Sequence, residues 1–191
     1  MRDDRIDPTK GFLVRFSQDF AGVGGTERFV RNTGQYTHYY SPFESIVVSG
    51  GLDAGHVIGI DDKVNINNRF FLGGDNFRGF KAGGVGPRDR LTGDALGANI
   101  FYTGTAEVTF PLGLPDELGI RGRFFTVAGS ALEVDAGGAN VQDTGSLRVS
   151  AGFGISWRTP FGPIRVDFGV PLLKEDFDED ELIRFNFGTR F

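Results

Sequence analysis

The sequence predicts an all-β fold: a transmembrane antiparallel up-and-down β-barrel of eight strands, closed on itself, in a single domain over residues 1–191. Two copies forming a sixteen-strand ring is the structural alternative. Three observations carry this prediction. Apolar residues recur at every second position over segments of about ten residues, the period of a strand with two unlike faces. The connections alternate in length, short at 41–44, 111–118 and 159–162, longer near 21 and over 60–95, 133–145 and 171–181. Outer-membrane barrels show that asymmetry, with short turns on the periplasmic side and long loops outside. Finally, no window approaches the roughly 18 uninterrupted apolar residues of a membrane helix, and Met1-Arg-Asp-Asp lacks the apolar core of a signal peptide. Barrel strands average out to the mild 39% hydrophobic content and net charge of -5 seen here.

Each strand can be justified in turn. Near 11–20, Phe12, Val14, Phe16 and Phe20 oppose Arg15, Ser17 and Asp19. The segment 27–40 has strand composition with a blurred alternation and ends in Tyr36, His38, Tyr39 and Tyr40, aromatics suited to a membrane interface. After a turn at Ser41-Pro-Phe-Glu44, the third strand (45–58) sets Ile46, Val48, Leu52 and Ala54 against Val47, Ser49, Gly51 and Asp53. The fourth (97–110) sets Ile100, Tyr102, Ala106, Val108 and Phe110 against Phe101, Thr103, Thr105, Glu107 and Thr109. The fifth (119–132) sets Ile120, Phe124 and Ala128 against Arg121, Arg123, Phe125 and Val127. The sixth (147–158) is the purest, with Leu147, Val149, Ala151, Phe153, Ile155 and Trp157 opposite Arg148, Ser150, Gly152, Gly154, Ser156 and Arg158. In the seventh (162–170), Ile164, Val166, Phe168 and Val170 oppose Arg165, Asp167 and Gly169. The last (182–191) sets Ile183, Phe185, Phe187 and Phe191 against Arg184, Asn186, Gly188 and Arg190, and is expected to pair with the first strand.

The arginines of these strands share the face with Ser, Gly and Asp, which in a barrel is the lumen. In a soluble sandwich that face would be solvated and the apolar one a core, so alternation alone leaves both readings open. The terminal Phe191, the aromatic strand ends and the loop asymmetry favour the membrane.

Between the third and fourth strands lies the stretch Arg69-Phe-Phe-Leu-Gly-Gly-Asp-Asn-Phe-Arg-Gly-Phe80. Gly73, Gly74 and Gly79 permit unusual backbone angles, while Phe70, Phe71, Phe77 and Phe80 are too apolar to face water, so the loop must pack against something. Arg78 then needs an acidic or aromatic partner.

Other chemistries find little support. With Cys 0, disulfides and thiolate metal sites are excluded, and His38 and His56 lie on separate strands without clustered ligands, so no metal is expected. The acidic run Glu175 to Glu181 reads as a solvated loop rather than a cation site, and Gly83 to Arg88 lacks the Lys-Ser/Thr of a phosphate loop. No Ser/His/acid constellation marks an enzyme, no cofactor is expected, and the negative charge offers no nucleic-acid face. Lumenal Arg and Asp residues are read as packing in a narrow interior rather than as a permeation path.

The loop motif Arg78-Gly79-Phe80, the following Gly86-Pro87-Arg88, the Gly162-Pro-Ile-Arg165 stretch and the terminal Phe185-Asn-Phe-Gly-Thr-Arg-Phe191 together resemble the BamA/TamA outer-membrane protein assembly family, also called the bacterial surface antigen family. The resemblance spans the chain but covers only the second half of that family's sixteen-strand barrel. It implies that a signal peptide, periplasmic POTRA repeats and eight earlier strands are missing here, leaving a truncated or engineered barrel without full insertase activity. The alternative is a purely structural small membrane barrel. The resemblance also implies a bacterial outer-membrane location. Expected partners are outer-membrane lipid or detergent and, in the full-length protein, assembly lipoproteins and unfolded barrel substrates, with a monomer favoured and a homodimer as alternative. By the same resemblance Arg78 pairs with Glu107 in the lumen, and Phe185, Phe187, Gly188 and Phe191 form the β-signal by which such barrels are recognised. The family's second acidic partner for Arg78 falls at Val127, which leaves the arginine one carboxylate short. Since an eight-strand interior is filled by its own side chains, the loop is expected outside the barrel and Val127 is expected to be apolar for that reason.

Overall fold

The computed structural model describes residues 2–4, 8–22, 27–60, 63–135, 140–160 and 162–188. Among the described residues there are twelve strands in chain order, eight longer ones with period-two patterning and four of two residues within the loops. They are β1 (Gly11–Ala21), β2 (Phe29–Phe43), β3 (Ile46–Gly59), β4 (Gly79–Phe80), β5 (Arg88–Asp89), β6 (Ile100–Pro111), β7 (Ile120–Leu132), β8 (Val141–Gln142), β9 (Arg148–Thr159), β10 (Gly162–Leu173), β11 (Asp180–Glu181) and β12 (Ile183–Phe187). Eight of them form one antiparallel sheet in the order β1-β2-β3-β6-β7-β9-β10-β12. Strands adjacent in this order are joined by simple up-and-down connections. Two two-stranded ribbons, β11 with β4 and β5 with β8, link the long loops to one another. Among the described residues no ladder joins β1 to β12, so the expected pairing of the first strand with the last is not seen there.

The turn between β2 and β3 departs from the sequence expectation. β2 continues to Phe43 and the chain reverses at Glu44 and Ser45, with Ser45 at φ 67. An irregularity between Tyr40 and Phe43 absorbs the extra residues, and Ser41 Oγ donates to the carbonyls of Phe43 and Ile46, keeping the ladder closed over this proline-containing stretch.

Burial decides between the two readings of the alternation. Phe16 is 70% exposed, Phe124 58% and Phe185 65%, whereas Arg123 and Arg148 on the opposite face are 2% and 1% exposed. A soluble sandwich buries its apolar face; here that face is bare, while the opposite face of β7, β9 and β10 buries Arg123, Arg148 and Asp167. Water-soluble monomers rarely expose so many large apolar side chains along their strands, and this surface is the lipid face of a membrane sheet. No helix among the described residues is long and apolar enough to cross a membrane.

Candidate functional site: the loop seated on the inner face

The arginine-bearing, inner face of β6, β7, β9 and β10 is covered by the loop that joins β3 to β6. A mutual pair of backbone bonds between Phe70 and Ala98, 2.9 and 2.8 Å, closes the base of the loop. Phe70 packs on Val57 and Val64, with its ring 4.7 Å from Phe101 and the Arg31 guanidinium 4.4 Å from its centroid. Gly55 on β3 leaves the space for these rings, since a Cβ there would lie 2.4 Å from Phe101. Deeper in the loop, Phe77 and Phe80 are fully buried in edge-to-face contact at 5.2 Å. They join Leu72, Val85, Ala98, Phe125, Val127 and Ala131 in one apolar cluster. Burying each of these phenylalanines contributes on the order of 1.5–3 kcal/mol toward seating the loop.

These contacts overturn the expectation that the loop lies outside. They also change the meaning of Val127. The residue is 2% exposed and packs in the cluster that holds Phe77 and Phe80, so its apolar character serves the seated loop instead of marking the loop's absence.

The structure brings Arg78 and Glu107 together. Arg78 Nη1 donates to Glu107 Oε2 at 2.7 Å, and its guanidinium lies 3.7 Å over the Phe125 ring. Asp167 on β10 is the second carboxylate, its Oδ2 4.0 Å from Arg78 Nη1. Arg123 bridges the two acids, donating to Glu107 Oε1 at 3.1 Å and to Asp167 Oδ1 at 2.5 Å. Thus Arg78, Glu107, Arg123 and Asp167, drawn from the loop, β6, β7 and β10, form one largely buried network, and Arg165 on β10 adds a third positive charge beside the two carboxylates. Such a network is favourable only when every member is paired. Glycine makes room for it: a Cβ on Gly154 would fall 2.1 Å from Asp167 Oδ1. Gly79, at φ 95, lets the loop backbone approach β10 so closely that a Cβ on Gly169 would sit 3.0 Å from the Gly79 nitrogen. Ser150 Oγ completes the seat by donating to the Arg78 carbonyl at 2.5 Å. Beside this network a cavity of about 560 Å³ is lined by residues including Arg15, Asp53, Arg78, Glu107, Arg165 and Asn186.

The other motif residues lie elsewhere. Phe185 and Phe187 point outward from β12 and are exposed, Gly188 follows at φ 114, and Phe191 lies outside the described residues. Arg88 of the Gly-Pro-Arg stretch is 5% exposed and donates to the Gly93 and Gly83 carbonyls and to Glu179. Sequence reasoning placed Arg123, Ser150 and Asp167 on the inner face without assigning them to Arg78. The alternation Arg165, Asp167, Gly169 was the available signal for Asp167, but it does not say which strand's charge the carboxylate meets. Among the described residues no group of three or more His, Asp or Glu is placed to hold a metal ion.

Glu179, in the connection between β10 and β12, accepts from Lys81 and Arg88, at 3.2 and 2.8 Å. The Lys81 hydrogen bond first, and then the Arg88 charge, hold its carboxyl below its ordinary value of 4.5. Because the folded-state value is depressed, the stabilisation is fully present above 4.5 and disappears as pH falls through the folded value. The protection factor of the Lys81 amide, whose N–H donates to the Glu179 carbonyl, is therefore expected to fall below that pH in the wild type once the intrinsic pH dependence of exchange is divided out, and to lose this pH step in Glu179→Gln.

Comparison with known proteins fits this architecture. The Omp85 superfamily domain model matches residues 1–191. The outer membrane protein assembly factor BamA of Neorickettsia risticii (strain Illinois) is 39% identical over 191 residues, covering 99% of this chain and 26% of that protein. The BamA of Neisseria meningitidis serogroup B is 27% identical, covering 99% of this chain and 27% of that protein. The crystal structure of BamA from Haemophilus ducreyi lacking POTRA domains 1-3 superposes with a TM-score of 0.86 at 20% identity, over 97% of this chain and 39% of that one. The chain thus spans about a quarter of the length of the bacterial relatives it matches. A bare apolar strand face, covered charges and a family match over every residue lead to one conclusion: the chain is an outer-membrane β-barrel segment and belongs to the Omp85 superfamily.

Proposed function

We propose that the chain acts in the assembly of outer-membrane β-barrel proteins, as the part of an assembly-factor barrel that carries the Arg78 loop and the last strand. The observation that carries this reading is the seating of the loop by Arg78 on Glu107 and Asp167 across the inner face. A self-closed eight-strand barrel has room only for its own side chains, whereas here the inner face also holds Phe77, Phe80 and the backbone around them. We therefore read the ring as wider than eight strands, completed either by further strands of a longer protein or by a second copy. The Arg78–Glu107 pair fixes the loop, and the edge of β12 away from β10, with Phe185 and Phe187 turned to lipid, is where an incoming strand would add. In this reading the partners are unfolded barrel chains and the lipoproteins of the assembly machine, and the work is templating without covalent chemistry.

The test is catalysed folding. The protein, reconstituted in liposomes, is mixed with a urea-denatured outer-membrane barrel, and folding is followed by heat-modifiable gel mobility. Acceleration over empty liposomes, lost in Arg78→Ala, is expected. Correctly inserted protein that leaves the rate unchanged would favour the purely structural barrel.

A further inference from the structure

The connection between β10 and β12, residues 174–182, is fastened to more than its flanking strands. Asp178 is buried against β9, where Arg148 Nε and Nη2 donate to its two carboxylate oxygens at 2.9 and 3.2 Å. One residue further on, the backbone joins the Arg78 loop: the Lys81 N–H donates to the Glu179 carbonyl at 2.9 Å and the Glu179 N–H to the Gly84 carbonyl at 3.1 Å. β11 then pairs with β4, Asp180 opposite Phe80 and Glu181 opposite Gly79. The last tie is on β12 itself. Arg184 lies directly opposite Asp167 in the β10–β12 register, yet Asp167 is held by Arg123. The Arg184 guanidinium instead donates to Asp75 at the loop tip, 2.6 Å, and to Glu181, 2.5 Å. It lies so close to the loop backbone that a Cβ on Gly74 would be 2.8 Å from Arg184 Nη2.

We propose that the tip of the Arg78 loop, through Asp75 and Arg184, is a latch on the last strand. β12 needs one. Its described ladder to β10 has five residue pairs, against eleven between β1 and β2, and among the described residues no strand pairs with its other edge. With the loop seated, β12 cannot leave β10 without breaking the ion pair and the β4–β11 ribbon. Withdrawal of the loop removes both restraints and leaves the strand to its short ladder. Loop position and edge-strand availability are thereby two readouts of one equilibrium. The proposal rests on these contacts alone and holds whether or not the chain assembles other barrels.

Hydrogen exchange of the amides in 183–187, with the protein folded in a lipid bilayer, tests it. Asp75→Asn is expected to speed their exchange about threefold, the scale of a partly exposed ion pair, while β6 and β7 keep their protection. Arg184→Gln should do more, because it also loses Glu181, and the double variant should match Arg184→Gln alone. Gly84→Ala, whose Cβ would lie 2.5 Å from the Glu179 carbonyl oxygen, attacks the backbone ties and should loosen the same five residues. Unchanged exchange at 183–187 in the single variants would overturn the latch. So would additive effects in the double variant, or an equal rise in β6 and β7, which would mark general loosening.

Discussion

Arg123→Met is expected to destabilise the folded protein by about 3–5 kcal/mol, the range found when one partner of a buried ion pair is removed. Arg123 is the link between Glu107 and Asp167, both of which it meets within hydrogen-bonding distance. Without it, Asp167, its side chain 3% exposed, loses its direct hydrogen bond and keeps Arg78 only at 4.0 Å, so a buried carboxylate is left without a donor in the network. Methionine fills the volume but offers no donor. Arg123→Lys is expected to recover only part of the loss, because one ammonium on a flexible stem cannot present two separated N–H groups to two carboxylates. Denaturant unfolding in detergent micelles, followed by the fluorescence of Trp157, measures both. A loss below about 1 kcal/mol in Arg123→Met, the worth of an ordinary surface pair, would show that the network is not the anchor described above.

Gly73→Ala is expected to unseat the loop. The residue sits at φ 125, and a Cβ there would lie 1.8 Å from the Lys81 carbonyl oxygen and 2.9 Å from the Gly84 nitrogen. The obstacle is backbone, so no change of rotamer relieves it. The turn that closes with Gly74 N–H on the Phe80 carbonyl and Gly73 N–H on Asn76 Oδ1 must open, and Phe77 and Phe80 lose their seat with it. Limited proteolysis reads the result. Cleavage within 70–90 is expected in Gly73→Ala while the eight-stranded sheet stays intact. The control is Gly93→Ala, which also has a positive φ, 77, but nothing within 4 Å of the added carbon. Only backbone strain of roughly 1–2 kcal/mol opposes that substitution, and the loop should remain resistant. Equal resistance of the two variants would mean that the loop is not held by the turn at Gly73.

These two results depend on different kinds of information. The turn glycines and the aromatic loop were legible in the chain, because positive φ and exposed phenylalanine are local demands. The inner face was legible too: alternation along 147–158 or 164–170 assigns each residue to a face with no knowledge of its neighbours. What the neighbours would be was not. Arg78 meets Glu107 across 29 positions of sequence, Arg123 meets Asp167 across 44, and Arg88 meets Glu179 across 91. Strand periodicity carries no term for any of these separations. The reading of Val127 failed for the same reason. Its burial depends on Phe77 and Phe80 arriving from a loop whose destination alternation cannot specify.

By itself, then, the sequence determined the strands, their two faces, the loop motif and the family resemblance, because each is written in residues close together along the chain. Only the tertiary structure decided that the apolar face is the bare one, that the loop occupies the inner face, that Asp167 supplies the second carboxylate, and that the loop tip reaches Arg184 on β12. Those outcomes are set by which surfaces can bury phenylalanine and pair charge at the same time. That competition is resolved among segments as far as 109 residues apart, after the local pattern has done its part.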